Sequence, residues 1–169
     1  MEHVLLGDES QNYLLASDAG YGYICSYKDM LSRNKAGKAL LSLPANAKSL
    51  MPRLVEAGQE SLIMAITNEG RMLLFPLDAL PQLAKGKGNK IIGIPTERAK
   101  NREELLSHLY VVPVDSSVTL WAGKRKLTLK PSDLAHYRGE RGRRGSKLPR
   151  GLQRVDSVEI GGDDSPAII

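Results

Sequence analysis

Apolar and polar positions along the chain fall into a pattern that occurs three times. Leu14-Leu15-Ala16 leads into Ser17-Asp18-Ala19-Gly20, and a second apolar and aromatic run, Tyr21 to Tyr27, follows directly. Ile63-Met64-Ala65-Ile66 leads into Thr67-Asn68-Glu69-Gly70, followed by Arg71 to Phe75. Val118-Thr119-Leu120-Trp121-Ala122 leads into Gly123, followed by Lys124 to Leu129. Short apolar runs on either side of a glycine turn predict β-hairpins, because glycine enters the left-handed backbone of a tight turn without steric cost. After each hairpin comes an Asp-led segment: Lys28-Asp29-Met30-Leu31, Leu77-Asp78-Ala79-Leu80 and Ser132-Asp133-Leu134. Each predicts one or two helical turns. A Gly/Lys-rich loop then leads to a further predicted strand. These closing segments are Gly37-Lys38 to Leu41-Ser42-Leu43-Pro44, Gly88-Asn89-Lys90 to Ile92-Gly93-Ile94-Pro95, and Gly145-Ser146-Lys147 to Leu152-Gln153-Arg154-Val155.

The shared aspartates at 29, 78 and 133 are 49 and 55 residues apart. A period near 40–50 residues with several strands per unit predicts propeller-like blades, each burying its faces against its neighbours. The fold class is therefore all-β, with repeats at roughly 4–50, 51–100 and 101–160 in one domain spanning 1–160. The competing reading is an α+β domain whose hairpins resemble one another by chance. Between the units, Ala45 to Glu60 reads as strand edge and loop. Asn101-Arg102-Glu103-Glu104-Leu105-Leu106 reads as a short helix capped by Asn101. Trp121 is assigned to the core. The tail over 161–169, with Gly161-Gly162-Asp163-Asp164-Ser165-Pro166, reads as disordered.

Charge sharpens this picture in one place. The chain carries 24 Lys+Arg against 19 Asp+Glu, a formal net charge of +5, which by itself is a weak pointer to an anionic partner. Between Leu120 and Arg154, however, Lys124, Arg125, Lys126, Lys130, Arg138, Arg141, Arg143, Arg144, Lys147, Arg150 and Arg154 face only Asp133 and Glu140. After Arg154 the chain turns acidic, with Asp156, Glu159, Asp163 and Asp164. So dense a block of one sign repels itself and points to a polyanion.

Candidate catalytic chemistry is sparse. His3, His108 and His136 are scattered, and neither an HExxH nor a Gly-x-Ser-x-Gly motif occurs. Lys85-Gly86-Lys87-Gly88-Asn89-Lys90 lacks the spacing of a nucleotide phosphate loop. The six tyrosines (Tyr13, Tyr21, Tyr23, Tyr27, Tyr110, Tyr137) read as packing residues. Cys25, the only cysteine, excludes an internal disulfide and reads as a buried thiol in a reducing compartment. Met1-Glu2-His3-Val4 does not open a signal peptide, and no apolar run is long enough for a membrane span.

The basic loops are the candidate sites. The first unit offers Arg33, Lys35 and Lys38; the second offers Lys85, Lys87 and Lys90, with Arg71 on its hairpin; the third offers Arg141, Arg143, Arg144 and Lys147, with Arg154 beyond. Glycine beside Lys or Arg lets backbone amides approach a phosphate, while the cations supply charge and release counterions. In the third hairpin, alternation puts Lys124, Lys126, Thr128 and Lys130 on one face and Arg125 with Leu127 and Leu129 on the other. Arg125 is out of place on that apolar face.

Several stretches carry a family resemblance. Ala16-Ser17-Asp18-Ala19-Gly20-Tyr21-Gly22-Tyr23, Gly70-Arg71-Met72-Leu73, Lys85-Gly86-Lys87-Gly88-Asn89-Lys90 and Arg150-Gly151-Leu152-Gln153-Arg154-Val155 resemble the C-terminal domain of bacterial type IIA topoisomerase A subunits. Gly142-Arg143-Arg144-Gly145-Ser146-Lys147 is similar to the gyrase A box, glutamine-Arg-Arg-Gly-Gly-Lys-Gly. It departs from that box at Gly142 and Ser146, a degeneracy typical of topoisomerase IV rather than gyrase. The resemblance implies a β-pinwheel: four-stranded blades that exchange strands with their neighbours and bend double-stranded DNA along a basic outer edge. The family domain has five or six blades, so three units imply an incomplete or broken ring. A missing neighbour is expected to leave an open edge on the first sheet.

The same resemblance implies a non-catalytic fragment with no cofactor of its own. The parent enzyme uses ATP and Mg²⁺ and an ATPase B subunit to decatenate and relax DNA in the cytoplasm, at the nucleoid. It also implies a protein partner, the hinge of the bacterial condensin, met by the positions of Arg125 and Arg150.

Overall fold

The structure, a computed structural model, describes residues 11–30, 43, 46–50, 52–55, 60–83 and 86–161. Its strands are β1 (Asn12–Ala16), β2 (Tyr21–Ser26), β3 (Arg53–Val55), β4 (Ser61–Thr67), β5 (Arg71–Pro76), β6 (Asn89–Lys90), β7 (Leu106–Pro113), β8 (Ser117–Ala122), β9 (Arg125–Leu129), β10 (Ser146–Lys147) and β11 (Ser157–Gly161). The three glycine turns form the predicted hairpins β1–β2, β4–β5 and β8–β9. Gly20 and Gly70 have φ of 91° and 81°, the left-handed backbone that explains their place in the pattern. Each hairpin is followed by short helical structure: 27–30, Leu77–Ala79, and Pro131–Leu134 continuing into Ala135–Tyr137.

The hairpins anchor three antiparallel sheets, ordered β3-β1-β2-β6, β10-β5-β4-β7 and β11-β8-β9. The fold class is all-β, as the sequence predicts, and the sheets do not close into a ring among the described residues. Strands are exchanged backward, each onto the preceding sheet. β6, from the loop after the second hairpin, completes the first sheet by pairing with Tyr21 and Gly22. β10, from the loop after the third hairpin, completes the second sheet by pairing with Arg71 and Met72. Both exchanged strands follow a glycine of positive φ, Gly88 and Gly145. Among the described residues the third sheet receives no such strand, so the open edge is β9 and not, as expected, an edge of the first sheet.

Packing explains why the second unit is apolar along both its strands. Ile63, Ala65, Leu73 and Phe75 pack toward the first sheet with Leu14, Ala16 and Ile24. Leu62, Met64, Ile66, Met72 and Leu74 pack toward the third sheet with Val118, Leu120 and Leu129. A sheet buried on both faces needs a continuous apolar run, not alternation. Cys25 lies fully buried in a separate cluster with Tyr13, Leu15, Tyr23 and Met30.

The structure corrects three further expectations. The helix lies at Thr96–Lys100, one turn earlier than expected, and Asn101 ends it rather than beginning it. Arg102 follows with φ of 60°, held there by Asp18 Oδ2 at 2.8 Å and by the Asn46 carbonyl at 2.6 Å. In the second and third units the closing strands are only two residues long; the first unit's closing strand over Leu41 to Pro44 lies outside the described residues but for Leu43. Ile91, Ile92, Ile94, Leu148 and Leu152 bury as irregular chain instead of extending a ladder. Trp121 is 36% exposed, because its parity on β8 puts it with Thr119 on the outer face, opposite Lys126 and Thr128 of β9. The tail over 162–169 lies outside the described residues.

Candidate nucleic-acid interface

Each sheet ends, on the corresponding side, in a short basic edge. The first ends in β6 with Lys90, the second in β10 with Lys147 facing Arg71, and the third in β9 with Arg125 and Lys126. Strand exchange joins the first two edges physically. The Arg141 Nη1 donates to the Lys90 carbonyl at 2.8 Å. The amide of Gly142 donates to the Ile91 carbonyl at 3.0 Å, and that of Gly93 to the Arg143 carbonyl at 2.7 Å. Arg71 Nη1 reaches the Gly145 carbonyl at 3.4 Å. The loop after the second hairpin and the loop after the third are therefore one continuous ridge, carrying Lys87, Lys90, Arg141, Arg143, Arg144, Arg71 and Lys147.

The cations on this ridge differ in availability. Lys87, Arg143 and Lys147 are exposed. Lys87 Nζ stands 4.4 Å from the centre of the Tyr21 ring, a contact that orders the side chain while leaving its charge accessible. Arg143 pairs with the exposed Glu140 at 3.2 Å, a contact that a phosphate in water-exposed surroundings displaces at small cost. Arg141 and Arg71 are half-buried and direct their guanidinium groups at backbone carbonyls. Arg144 is the most engaged, donating to the Gly93 carbonyl and to Glu104 at 3.0 Å.

The third hairpin carries further exposed cations. Lys124, Arg125 and Lys126 are exposed. Lys126 Nζ lies 5.2 Å from the Trp121 ring centre. Arg125 opens β9 and packs over Gly151, whose absent Cβ would lie 2.9 Å from its Nη1; Arg150 is next in sequence and exposed, as is Arg154. The apolar parity of Arg125 is thus resolved by its place at the strand's start, where it lies over Gly151. Arg33, Lys35, Lys38 and Lys85 lie outside the described residues. Among the described residues no three His, Cys, Asp or Glu side chains gather to hold a metal ion, and no helix is long and apolar enough to cross a membrane.

Sequence reasoning missed two kinds of participant. Tyr21 and Trp121 support lysines across a sheet edge, a relation visible only once the strand pairing is known. Glu104 and Gly93 join the ridge to the connector behind it; in the sequence Glu104 looks like half of a solvated Glu103-Glu104 pair.

Comparisons with known proteins agree with this architecture. A family described as DNA gyrase C-terminal domain, beta-propeller, matches residues 61–113. The A subunit of DNA topoisomerase 4 from Salmonella typhimurium is 52% identical over 166 residues, covering 98% of this chain and 21% of that protein. The corresponding protein of Pseudomonas aeruginosa is 56% identical over 159 residues, covering 94% and 21%. The chain thus spans about a fifth of the length of the curated relatives it matches. The solved structure of the E. coli ParC C-terminal domain superposes with a TM-score of 0.87 at 51% identity, over 95% of this chain and 64% of that one. The DNA gyrase A C-terminal domain superposes with a TM-score of 0.71 at 13% identity, over 93% and 51%, a likeness of fold.

Proposed function

This chain belongs to the C-terminal repeat family of bacterial type IIA topoisomerase A subunits, on the topoisomerase IV side, and from that premise we propose that it binds and bends double-stranded DNA along its basic sheet edges. The observation that carries the reading is the continuous ridge from Lys87 through Arg143 to Lys147, stitched across two sheets by exchanged strands. Cations spaced along the edges of stacked sheets suit a duplex backbone, and backbone contacts do not depend on base sequence. The chain itself does no chemistry and needs no cofactor. In a parent topoisomerase IV, working with ATP, Mg²⁺ and its B subunit at the cytoplasmic nucleoid, it selects the geometry of the duplexes passed during decatenation and relaxation.

Binding to linear, bent and supercoiled DNA across a salt series tests this. Affinity falls with salt at a log–log slope of about −0.9 per phosphate contact, and Arg143→Glu with Lys147→Glu weakens all three substrates. Salt-independent binding, or none at low salt, removes the proposal.

A second reading is favoured by one observation. Arg125, laid over Gly151 beside Arg150, forms with it a pair of exposed arginines, suited to an acidic protein surface such as the condensin hinge. Arg125→Glu with Arg150→Glu abolishes that complex and spares DNA binding; loss of both activities together would mean one shared surface.

A further inference from the structure

Glu104 is completely buried, in the turn between the helix Thr96–Lys100 and β7. Its Oε1 lies 3.0 Å from Arg144 Nη1 and 3.4 Å from Arg98 Nε. Its Oε2 has no hydrogen-bond partner among the described residues. Arg98 also pairs with Glu69 at 3.4 Å and Glu103 at 3.9 Å, and its carbonyl accepts the Glu103 amide at 2.8 Å. Arg144 also donates to the Gly93 carbonyl. One carboxylate therefore ties the connector behind the second unit to the loop over 141–147 in front of it.

A carboxylate taken out of water is costly unless cations meet it, and breaking such a cluster by removing one member costs more than its net contribution. Glu104 meets two arginines, of which Arg98 is already shared with two exposed acids. Among the described residues Arg144 pairs with no other carboxylate. The basic loop thus has a buried ionic anchor, placed behind Gly93, where the backbone of Arg143 and Gly142 crosses.

We propose that Glu104 is a positioning residue for DNA binding: acting through Arg144, it fixes the loop over 141–147 so that Arg143 and Lys147 continue the line begun by Lys87. This inference rests on the DNA-binding reading. Its sign sets it apart from plain electrostatics. Glu104→Gln removes a negative charge, which by itself raises the affinity of a basic surface for a polyanion. A positioning role requires the opposite.

The test compares the full chain with Glu104→Gln, Arg144→Gln and the double variant, by duplex binding at fixed salt and by amide hydrogen exchange. Each single variant binds about tenfold more weakly, the size of one misplaced charge-assisted contact, and the double is no weaker than either single. The amides of Gly93 and Gly142 exchange faster, while the core amides of Ile63 and Phe75 do not change. Equal or tighter binding by Glu104→Gln, or losses that add in the double, overturns the proposal. If Glu104→Gln does not fold, Arg144→Gln, whose side chain is partly exposed, carries the comparison. An unsubstituted chain that binds no DNA refutes the function instead; the Gly93 and Gly142 exchange rates then decide whether Glu104 anchors the loop.

Discussion

Arg141 and Lys90, 51 residues apart in sequence, meet through a 2.8 Å hydrogen bond from the Arg141 guanidinium to the Lys90 carbonyl. The bond makes two loops from different repeats into one surface, and it separates two roles among the basic residues. Lys87, Arg143 and Lys147 present exposed charges to a ligand, Arg143 held only by its surface pair with Glu140. Arg141 spends a guanidinium nitrogen holding its neighbour loop. Lys87→Ala, Arg143→Ala and Lys147→Ala should each make the salt dependence of DNA binding shallower by about 0.9 in log–log slope, with affinity falling in proportion. Arg141→Ala should lower affinity by more than its change in slope accounts for, because Lys90 is released as well. Fluorescence titrations on one duplex at several salt concentrations distinguish the two patterns.

The exchanged strands depend on two glycines for two separate reasons. Gly88 and Gly145 both have positive φ, and both lie against the strand they complete. A Cβ on Gly145 would stand 2.5 Å from the Met72 carbonyl oxygen, and one on Gly88 would collide with the Gly22 carbonyl. Gly86 and Gly123 also have positive φ, yet a Cβ there meets nothing within 4 Å. Gly86→Ala and Gly123→Ala should therefore cost only the left-handed backbone penalty, about 1–2 kcal/mol. Gly88→Ala and Gly145→Ala should cost clearly more, since the strand must also move off its sheet. Urea denaturation of the four variants gives the comparison, and equal losses would show that the exchanged strands contribute little.

The hairpins were legible in the sequence because each is announced by two apolar runs and a glycine that must be left-handed. The basic ridge was legible as composition. Its continuity was not, because Asn89–Lys90 and Ser146–Lys147 are two-residue strands, too short to carry any periodicity. Their pairing with the preceding hairpin rather than their own is a property of the stack. The displaced helix has a comparable cause. Asn101 suits either end of a helix, and only the contacts of Arg102 with Asp18 and Asn46 decide that it ends one. Glu104 could not be distinguished from its exposed neighbour Glu103, since burial there is created by a loop that arrives 40 residues later.

Tyr137, at the end of the short helix of the third unit, has a phenol held above the usual tyrosine range, first by burial and then by the negative charge of Asp133. The folded chain therefore keeps this proton more tightly than the unfolded chain does. Stability is unaffected by the group below the usual tyrosine value near 10. Above it the unfolded state releases the proton first, so stability falls as pH rises from there through the raised folded value. Thermal unfolding midpoints followed from pH 8 upward should decline more steeply for the parent than for Tyr137→Phe, which has no proton to lose. Parallel declines would assign alkaline unfolding to other groups.

The third sheet differs from the second in what one pair of positions faces. Strand register aligns Trp121 and Lys126, which oppose each other across β8 and β9, with Ile66 and Met72, which oppose each other across β4 and β5. Ile66 and Met72 are fully buried toward the third sheet. On the third sheet the same face carries Thr119, Thr128 and Lys126, and Trp121 is exposed there. Substituting the two pairs should give opposite results. Ile66→Thr or Met72→Thr removes core volume and buries a hydroxyl, with a loss of about 2–4 kcal/mol. Trp121→Thr should stay within about 0.5 kcal/mol, as surface substitutions generally do. The chain's one tryptophan reports on the same face directly. Its emission should be red-shifted and readily quenched by acrylamide in the parent, and Lys126→Ala should alter its intensity by removing the ammonium over the ring. A blue-shifted, quencher-resistant Trp121 in dilute solution would mean that the face is covered there, and the mildness predicted for Trp121→Thr would then fail with it.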